Sequence, residues 1–184
     1  MNETSLGGIL RAGFIGILGG TIVWIAGAWA LAQTIGDEAE MERLQNRAEE
    51  AIANGDADGA AMNSGKAALM ASQLAARQQD QAIIQFYRGA EALFRAQEHA
   101  YRALALFQRA GGQPPASSGV CGTMRLARKY VRDSMRLLEE KASASIETGR
   151  LQQTHHLHAG AADWVKTIKG MSADFQCGEN AVNR

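Results

Sequence analysis

The pattern of apolar and polar positions divides the chain into one long uncharged run and a series of amphipathic segments. The run covers residues 12–34 and contains no charged side chain. About 20 apolar residues are enough for a helix to cross a bilayer. The pattern therefore predicts a transmembrane anchor at residues 12–34, preceded by a short cytoplasmic N-terminus of residues 1–11.

A signal peptide is the alternative interpretation of the same run. Residues 30–32 are Ala-Leu-Ala, a small-x-small triplet typical of a signal-peptide cleavage site, and cleavage there would fall before Gln33. The apolar run is, however, longer than the roughly 7–15 residues usual for the core of a signal peptide. Its length favours an uncleaved anchor.

The charges on either side of the run predict its orientation. Arg11 precedes it, whereas Asp37 and Glu38 follow it. The positive-inside rule keeps the basic flank in the cytoplasm and exports the rest. Both interpretations of the run export the same domain. The simplest setting is a bacterial-type inner membrane with the main domain, residues 36–176, in the periplasm.

Small residues recur every four positions through the start of the run. They are Gly8, Ala12, Gly16 and Gly20. Residues at this spacing lie on one face of a helix, and small faces let membrane helices approach closely. This face predicts packing against an integral membrane partner or a second copy. The plainer alternative is that membrane helices are generally rich in glycine.

The composition after the run favours helix almost throughout. Alanine is abundant, and the only two prolines are Pro114 and Pro115. Apolar stripes at helical spacing occur in residues 37–53, 57–110, 123–148 and 151–171. We therefore predict an all-α fold, with the membrane helix followed by an exported bundle of four or five helices and a flexible tail at residues 177–184.

Four sites along the chain are typical of helix ends. Residues 54–56 (Asn-Gly-Asp) stop one helix and cap the next, and residues 111–119 form a Gly-, Pro- and Ser-rich loop. Gly149 is predicted to separate the last two helices. Residues 57–110 form either one long helix or two, and we favour a break at residues 78–80. The inward side of the final helix is expected to comprise Leu157, Ala161, Trp164, Val165 and Ile168.

The two cysteines test this arrangement. Cys121 precedes the penultimate helix and Cys177 follows the last one. A single straight helix between them would hold them about 70 Å apart, but a hairpin brings them to the same end. Because exported chains favour disulfides, we predict a Cys121–Cys177 bridge worth about 4 kcal/mol. The alternative is a pair of unpaired buried thiols.

The candidate chemical sites are sparse. His155 and His158 have a spacing that could bind a transition metal, but no further ligands complete a framework. We expect no metal and no cofactor. Tyr87, Phe94 and Tyr101, seven residues apart, are expected in the core. No catalytic constellation or nucleotide-binding glycine motif is present, so we do not expect an enzyme.

A concentration of positive charge on the penultimate helix predicts a surface for an anionic partner. Its members are Arg125, Arg128, Lys129, Arg132 and Arg136. The alternative is internal pairing, which would bring Glu98 near residues 132–136. The chain as a whole carries 19 basic and 19 acidic residues, and it has no nucleic-acid recognition motif, so nucleic acid is not an expected partner.

These observations favour a non-enzymatic, membrane-anchored accessory or assembly subunit of a larger membrane complex. An extracytoplasmic helical sensor or ligand-binding module is the main alternative. A third, less favoured function is that of a spanin-like phage lysis protein. The layout resembles that of inner-membrane phage spanins, which have a short cytoplasmic start, an N-terminal anchor, a helical periplasmic domain and a C-terminal cysteine. That similarity covers no sequence motif.

Overall fold

The computed structural model describes residues 36–139 and 148–178, which contain five α-helices and no strands. The helices are α1 (residues 36–53), α2 (Ala57–Arg77), α3 (Gln81–Arg109), α4 (Ser118–Glu139) and α5 (Thr148–Asp174). The predicted all-α bundle is confirmed in these ranges. None of the described helices combines the length and the apolar character needed to cross a membrane. The predicted anchor at residues 12–34 and its small-residue face lie outside the described residues.

Helix α3 is the central element of the bundle. It contacts α2, α4 and α5, and fourteen of its 29 residues are buried. A helix surrounded on several sides needs an apolar face wider than the narrow seam of a coiled coil. The row formed by Tyr87, Phe94 and Tyr101 is buried, as predicted, with Tyr87 fully inaccessible to solvent.

Helices α2 and α3 pack through small side chains. Ala60, Ala67, Ala68 and Ala71 of α2 have no solvent-accessible surface, and the absence of long side chains lets the two backbones lie close together. The break that we favoured at residues 78–80 is confirmed. The carboxylate of Asp80 accepts hydrogen bonds from the backbone N–H groups at the start of α3, as an N-cap residue does.

Helix α1 is joined to the core by apolar packing and by one polar contact. Met41 and Leu44 are buried in a cluster with residues of α2 and α3. Ala48 packs in a second cluster that includes Tyr101. The hydroxyl of Tyr87 donates a hydrogen bond to the carboxylate of Glu38. Glu38, near the start of α1, contacts Tyr87 near the start of α3, and Ala48, later in α1, packs in the cluster with Tyr101, later in α3. The two helices are therefore parallel.

Helix α4 begins within the segment that we predicted to be loop. We expected the helix to start at Thr123, but it starts at Ser118. The side chain of Ser117 accepts a hydrogen bond from the backbone N–H of Val120, and its carbonyl accepts one from the N–H of Cys121. A serine immediately before a helix can satisfy an otherwise unpaired N–H, which explains the earlier start.

Two expectations about the last helices are wrong. Gly149 was expected to end a helix, but it is helical and belongs to α5 (Thr148–Asp174). Val165 was expected to face inward, but it is 39% exposed. Helix α5 is buried instead along the side that carries Ala161 and Ile168, and Val165 falls beside that stripe.

The predicted disulfide is present. Cys121, in the first turn of α4, is bonded to Cys177, with a Cα–Cα distance of 5.4 Å. The backbone N–H of Ala116 also donates a hydrogen bond to the carbonyl of Phe175, and the ring of Phe175 packs 4.4 Å from that of Phe107. The end of α5 is therefore fixed to the loop before α4 by covalent, polar and apolar contacts.

Candidate functional site

An open groove lies between α3 and α4. Its volume is about 680 Å³. The groove is lined by arginines and carboxylates in addition to two rings. Its lining includes Arg88, Arg95, Glu98, His99, Arg102, Tyr130 and Arg136.

The arginines of α3 form a row with seven-residue spacing. Arg88, Arg95 and Arg102 each follow a member of the buried aromatic row by one position. One position is about 100° around a helix, so the arginines point away from the aromatic core. Successive members are about 10.5 Å apart along the axis. The folding of α3 therefore places a row of arginines along the groove.

Glu98 is the most buried charged group in the groove. Its side chain is 9% exposed and forms ion pairs with Arg95 at 2.9 Å and Arg102 at 2.6 Å. A burial of this degree is tolerated because both partners are charged and hydrogen-bonded. Internal pairing of Glu98 with residues 132–136 of α4 was the alternative that we considered from the sequence, but its observed partners are on its own helix.

His99 and Tyr130 link α3 to α4 at the floor of the groove. Their rings are stacked, with centroids 5.4 Å apart and planes within 7° of each other. The Nδ1 atom of His99 is buried and has no hydrogen-bond partner among the described residues. Burial lowers the pKa of His99, and the charge of Glu98 opposes that shift. The stacked imidazole is therefore favoured in its neutral form.

The basic residues predicted on α4 do not share one environment. Arg136 lines the groove and lies 4.0 Å from Asp133. Lys129 lies over the ring of Tyr130 at 5.8 Å. Arg132 donates to the carbonyl of Arg128, while Arg125, Lys129 and Arg132 are exposed. The predicted anionic-partner surface is thus continuous with the groove only at Arg136.

The histidine pair lies apart from the groove. His155 and His158 line a cavity of about 240 Å³ together with Glu139. No group of three or more potential metal ligands occurs within residues 36–139 and 148–178. The described residues therefore do not complete a metal site around the two histidines.

Another cavity lies where α1, α3 and α5 meet, and its lining is more apolar than that of the groove. It has a volume of about 190 Å³. Met41, Phe86, Phe94 and Leu157 contribute its apolar walls, and Glu42 is among the polar residues around it. The cavity is small, but it could hold a compact, largely apolar group.

The arginine row of α3 was not predicted from the sequence. Its signal was present, because Arg88, Arg95, Arg102 and Arg109 repeat every seven residues. We assigned α3 from its apolar positions alone, and these indicate a core helix. Arg109 lies beyond the groove, where it forms an ion pair with Asp58.

Comparisons with protein-family models, with curated proteins and with solved structures found no match to this chain.

Proposed function

We propose that the chain is a non-enzymatic, membrane-anchored accessory or assembly subunit of a larger membrane protein complex. The helical domain would contact partner proteins outside the cytoplasm, and the N-terminal run at residues 12–34 would hold it at the membrane. The small residues Gly8, Ala12, Gly16 and Gly20 would pack that run against a neighbouring membrane helix.

The observation that carries this proposal is the form of the α3–α4 groove. Small-molecule sites enclose most of their ligand between mainly apolar walls. This groove is instead open and lined by long charged side chains, including Arg88 and Arg136. Exposed arginines in an open groove suit the charged surface of another protein, where charge complementarity selects the partner and its alignment.

The contacts of the cysteines, Glu98 and His99, which are residue types that often act in catalysis, also support a structural role. Both cysteines are consumed in the disulfide. Glu98 is held between two arginines, and the ring of His99 is stacked on Tyr130. The disulfide and the stacked rings join different parts of the bundle, and the ion pairs of Glu98 hold its side chain in place on α3, as a rigid contact module requires.

The test is affinity purification of the full-length chain from membranes in mild detergent. We expect other integral membrane proteins to co-purify in fixed ratio. An Arg88→Glu variant should lose partners that bind the groove, whereas Lys66→Glu, on the exposed face of α2, should retain them. A wild-type chain that is released from membranes by alkaline extraction, or that purifies without any other protein, would contradict the proposal.

The apolar cavity favours one alternative function, an extracytoplasmic ligand-binding or sensor module. Phe86 and Phe94 would supply an apolar surface for a small ligand, with Glu42 at its polar side. Native mass spectrometry of the purified chain would support this alternative if a small molecule remained bound. Replacement of Leu157 by Trp, which would fill the cavity, should then abolish retention of that molecule.

A further inference from the structure

We propose that the exposed acidic face of α1 in one copy of the chain docks against the α3–α4 groove of a second copy, so that copies associate side by side in the same orientation. This inference rests on the proposed function in one respect, because anchoring in a shared membrane aligns the copies in parallel. It deepens that function by naming a second copy as the occupant of the groove.

Charge is distributed unevenly between the two surfaces. Residues 36–53 of α1 contain six carboxylates and two arginines, which gives a net charge of −4. The groove is lined by four arginines (Arg88, Arg95, Arg102 and Arg136) and three carboxylates (Glu91, Glu98 and Asp133), which gives a net charge of +1. The chain has no net charge as a whole. Copies of it are therefore complementary when the α1 side of one meets the groove side of the next.

The two surfaces also match in spacing. Glu42 and Glu49 are exposed on α1 and are seven residues apart. Their separation along the helix axis is about 10.5 Å, the same as that between successive arginines of the α3 row. Parallel helices with charges at equal intervals can align several pairs at once.

Glu42 and Glu49 also match the arginine row in position along the bundle axis. Helix α1 runs parallel to α3, with Glu38 bonded to Tyr87 and Ala48 packed in a cluster with Tyr101. Glu42 and Glu49 therefore lie at levels within the span from Arg88 to Arg102. A neighbouring copy that is anchored at the same level presents its two carboxylates to the arginine row without any shift along the bundle axis.

The acidic face and the groove are different parts of one copy. The arginine row is about 100° around α3 from the row of Tyr87, Phe94 and Tyr101, which is the side where α1 packs. Helix α1 thus leaves the groove of its own chain open. Contacts between two different patches are heterologous, and they close into rings or continue as rows according to the rotation between copies.

The contact depends on several exposed ion pairs, each of which contributes little binding energy on its own. Anchoring in one membrane raises the effective concentration of the copies and offsets this weakness. Association should therefore be detected with the full-length chain in lipid or mild detergent, and it should weaken as ionic strength rises.

The test is a charge exchange between the two surfaces of the full-length chain. We expect the wild type to form species larger than a monomer in lipid nanodiscs or mild detergent at low salt, measured by multi-angle light scattering. Glu42→Arg and Arg88→Glu should each weaken self-association about tenfold or more, because each places like charges opposite one another. Mixing the two variants should restore association, since the reversed α1 face then meets a reversed groove. Lys66→Glu on α2 serves as the control and should leave the mass unchanged.

Melting curves and the intact disulfide on non-reducing gels establish that each variant is folded. If a variant misfolds, the salt dependence of wild-type association decides the question. A wild type that is monomeric, a mass that is insensitive to salt, or a mixture that fails to recover overturns the inference. A wild type that stays monomeric yet captures other membrane proteins overturns only this inference and leaves the proposed function standing.

Discussion

Gly89 of α3 lies directly against the side chain of Leu138 of α4. A Cβ atom at Gly89 would lie 2.6 Å from a terminal methyl carbon of Leu138, which is far inside van der Waals contact. The hydroxyl of Ser134 donates a hydrogen bond of 2.8 Å to the carbonyl of Gly89. The missing side chain allows α4 to lie against α3 at this point, next to Arg88 and Leu137 of the groove lining.

Replacement of Gly89 by Ala is therefore expected to destabilise the domain. Overpacking a tight contact costs about 1–3 kcal/mol, which exceeds the roughly 0.5–1 kcal/mol that Ala gains over Gly within a helix. The measurement is the midpoint of urea unfolding. Gly170→Ala is the matched control, because nothing lies within 4 Å of its added Cβ. It should raise the midpoint, and equal effects of the two variants would contradict the packing argument.

Neutralising Glu98 should lower stability more than removing a surface ion pair. Glu98→Gln keeps the size of the side chain but leaves Arg95 and Arg102 without their shared, largely buried carboxylate. We expect a loss of about 1–3 kcal/mol. The control is Asp163→Asn, whose pair with Lys166 is largely exposed and should contribute well under about 1 kcal/mol. The free energies of unfolding of both variants are compared by chemical denaturation. If Glu98→Gln lowers stability no more than Asp163→Asn does, the pairing of Glu98 with Arg95 and Arg102 does not stabilise the domain as expected.

Stability should fall between neutral and mildly acidic pH because of His99. Its folded-state pKa lies below the ordinary value, mainly through burial, so the folded state favours the neutral ring. The resulting stabilisation is complete above the unfolded pKa of about 6.5 and declines as pH falls through that value towards the folded pKa.

The effect of His99 can be separated from that of the other titrating groups. Unfolding free energies of the wild type and of His99→Gln are compared from pH 7.5 to 5. The other three histidines are present in both proteins, so the difference between the two pH profiles isolates His99. We expect the wild type to lose more stability than the variant on acidification. Parallel profiles would show that this ring is not the sensitive group.

Loss of the disulfide should destabilise the domain substantially. The bridge closes a loop with a sequence separation of 56 residues, for which the chain-entropy estimate is about 4 kcal/mol. Replacing both Cys121 and Cys177 by Ser should shift thermal unfolding to lower temperature by an amount similar to full reduction of the wild type. A reductant that leaves the melting curve of the wild type unchanged would contradict this expectation.

The features that were predictable from sequence are those determined by neighbouring residues. The break before α3 follows from Asp80, whose carboxylate caps the helix within three positions. The disulfide is an exception, because it joins residues separated by 56 positions, and its prediction depended on a helical hairpin that brings the two cysteines to the same end. The early start of α4 was missed because Ser117 and Ser118 lie in a segment whose glycines and prolines indicate a loop.

The groove was not predictable in the same way. Its shape depends on how α4 packs against α3, and that packing includes contacts such as the one between Gly89 and Leu138, which are far apart in sequence. The partners of Glu98 could have been found, because Arg95 and Arg102 are three and four positions away on the same helix, where side chains meet. We looked for partners across the bundle instead.

The bridge between Cys121 and Cys177 also has a topological consequence. Any single backbone cut between these residues leaves both fragments in one covalent molecule as long as the bond is oxidised. A protease that cleaves once between α4 and α5 would therefore yield a product of undiminished mass on a non-reducing gel and two pieces on a reducing one. In such a cleaved chain the disulfide would hold the N-terminal and C-terminal fragments together, and the C-terminal fragment would be released only in a reducing environment.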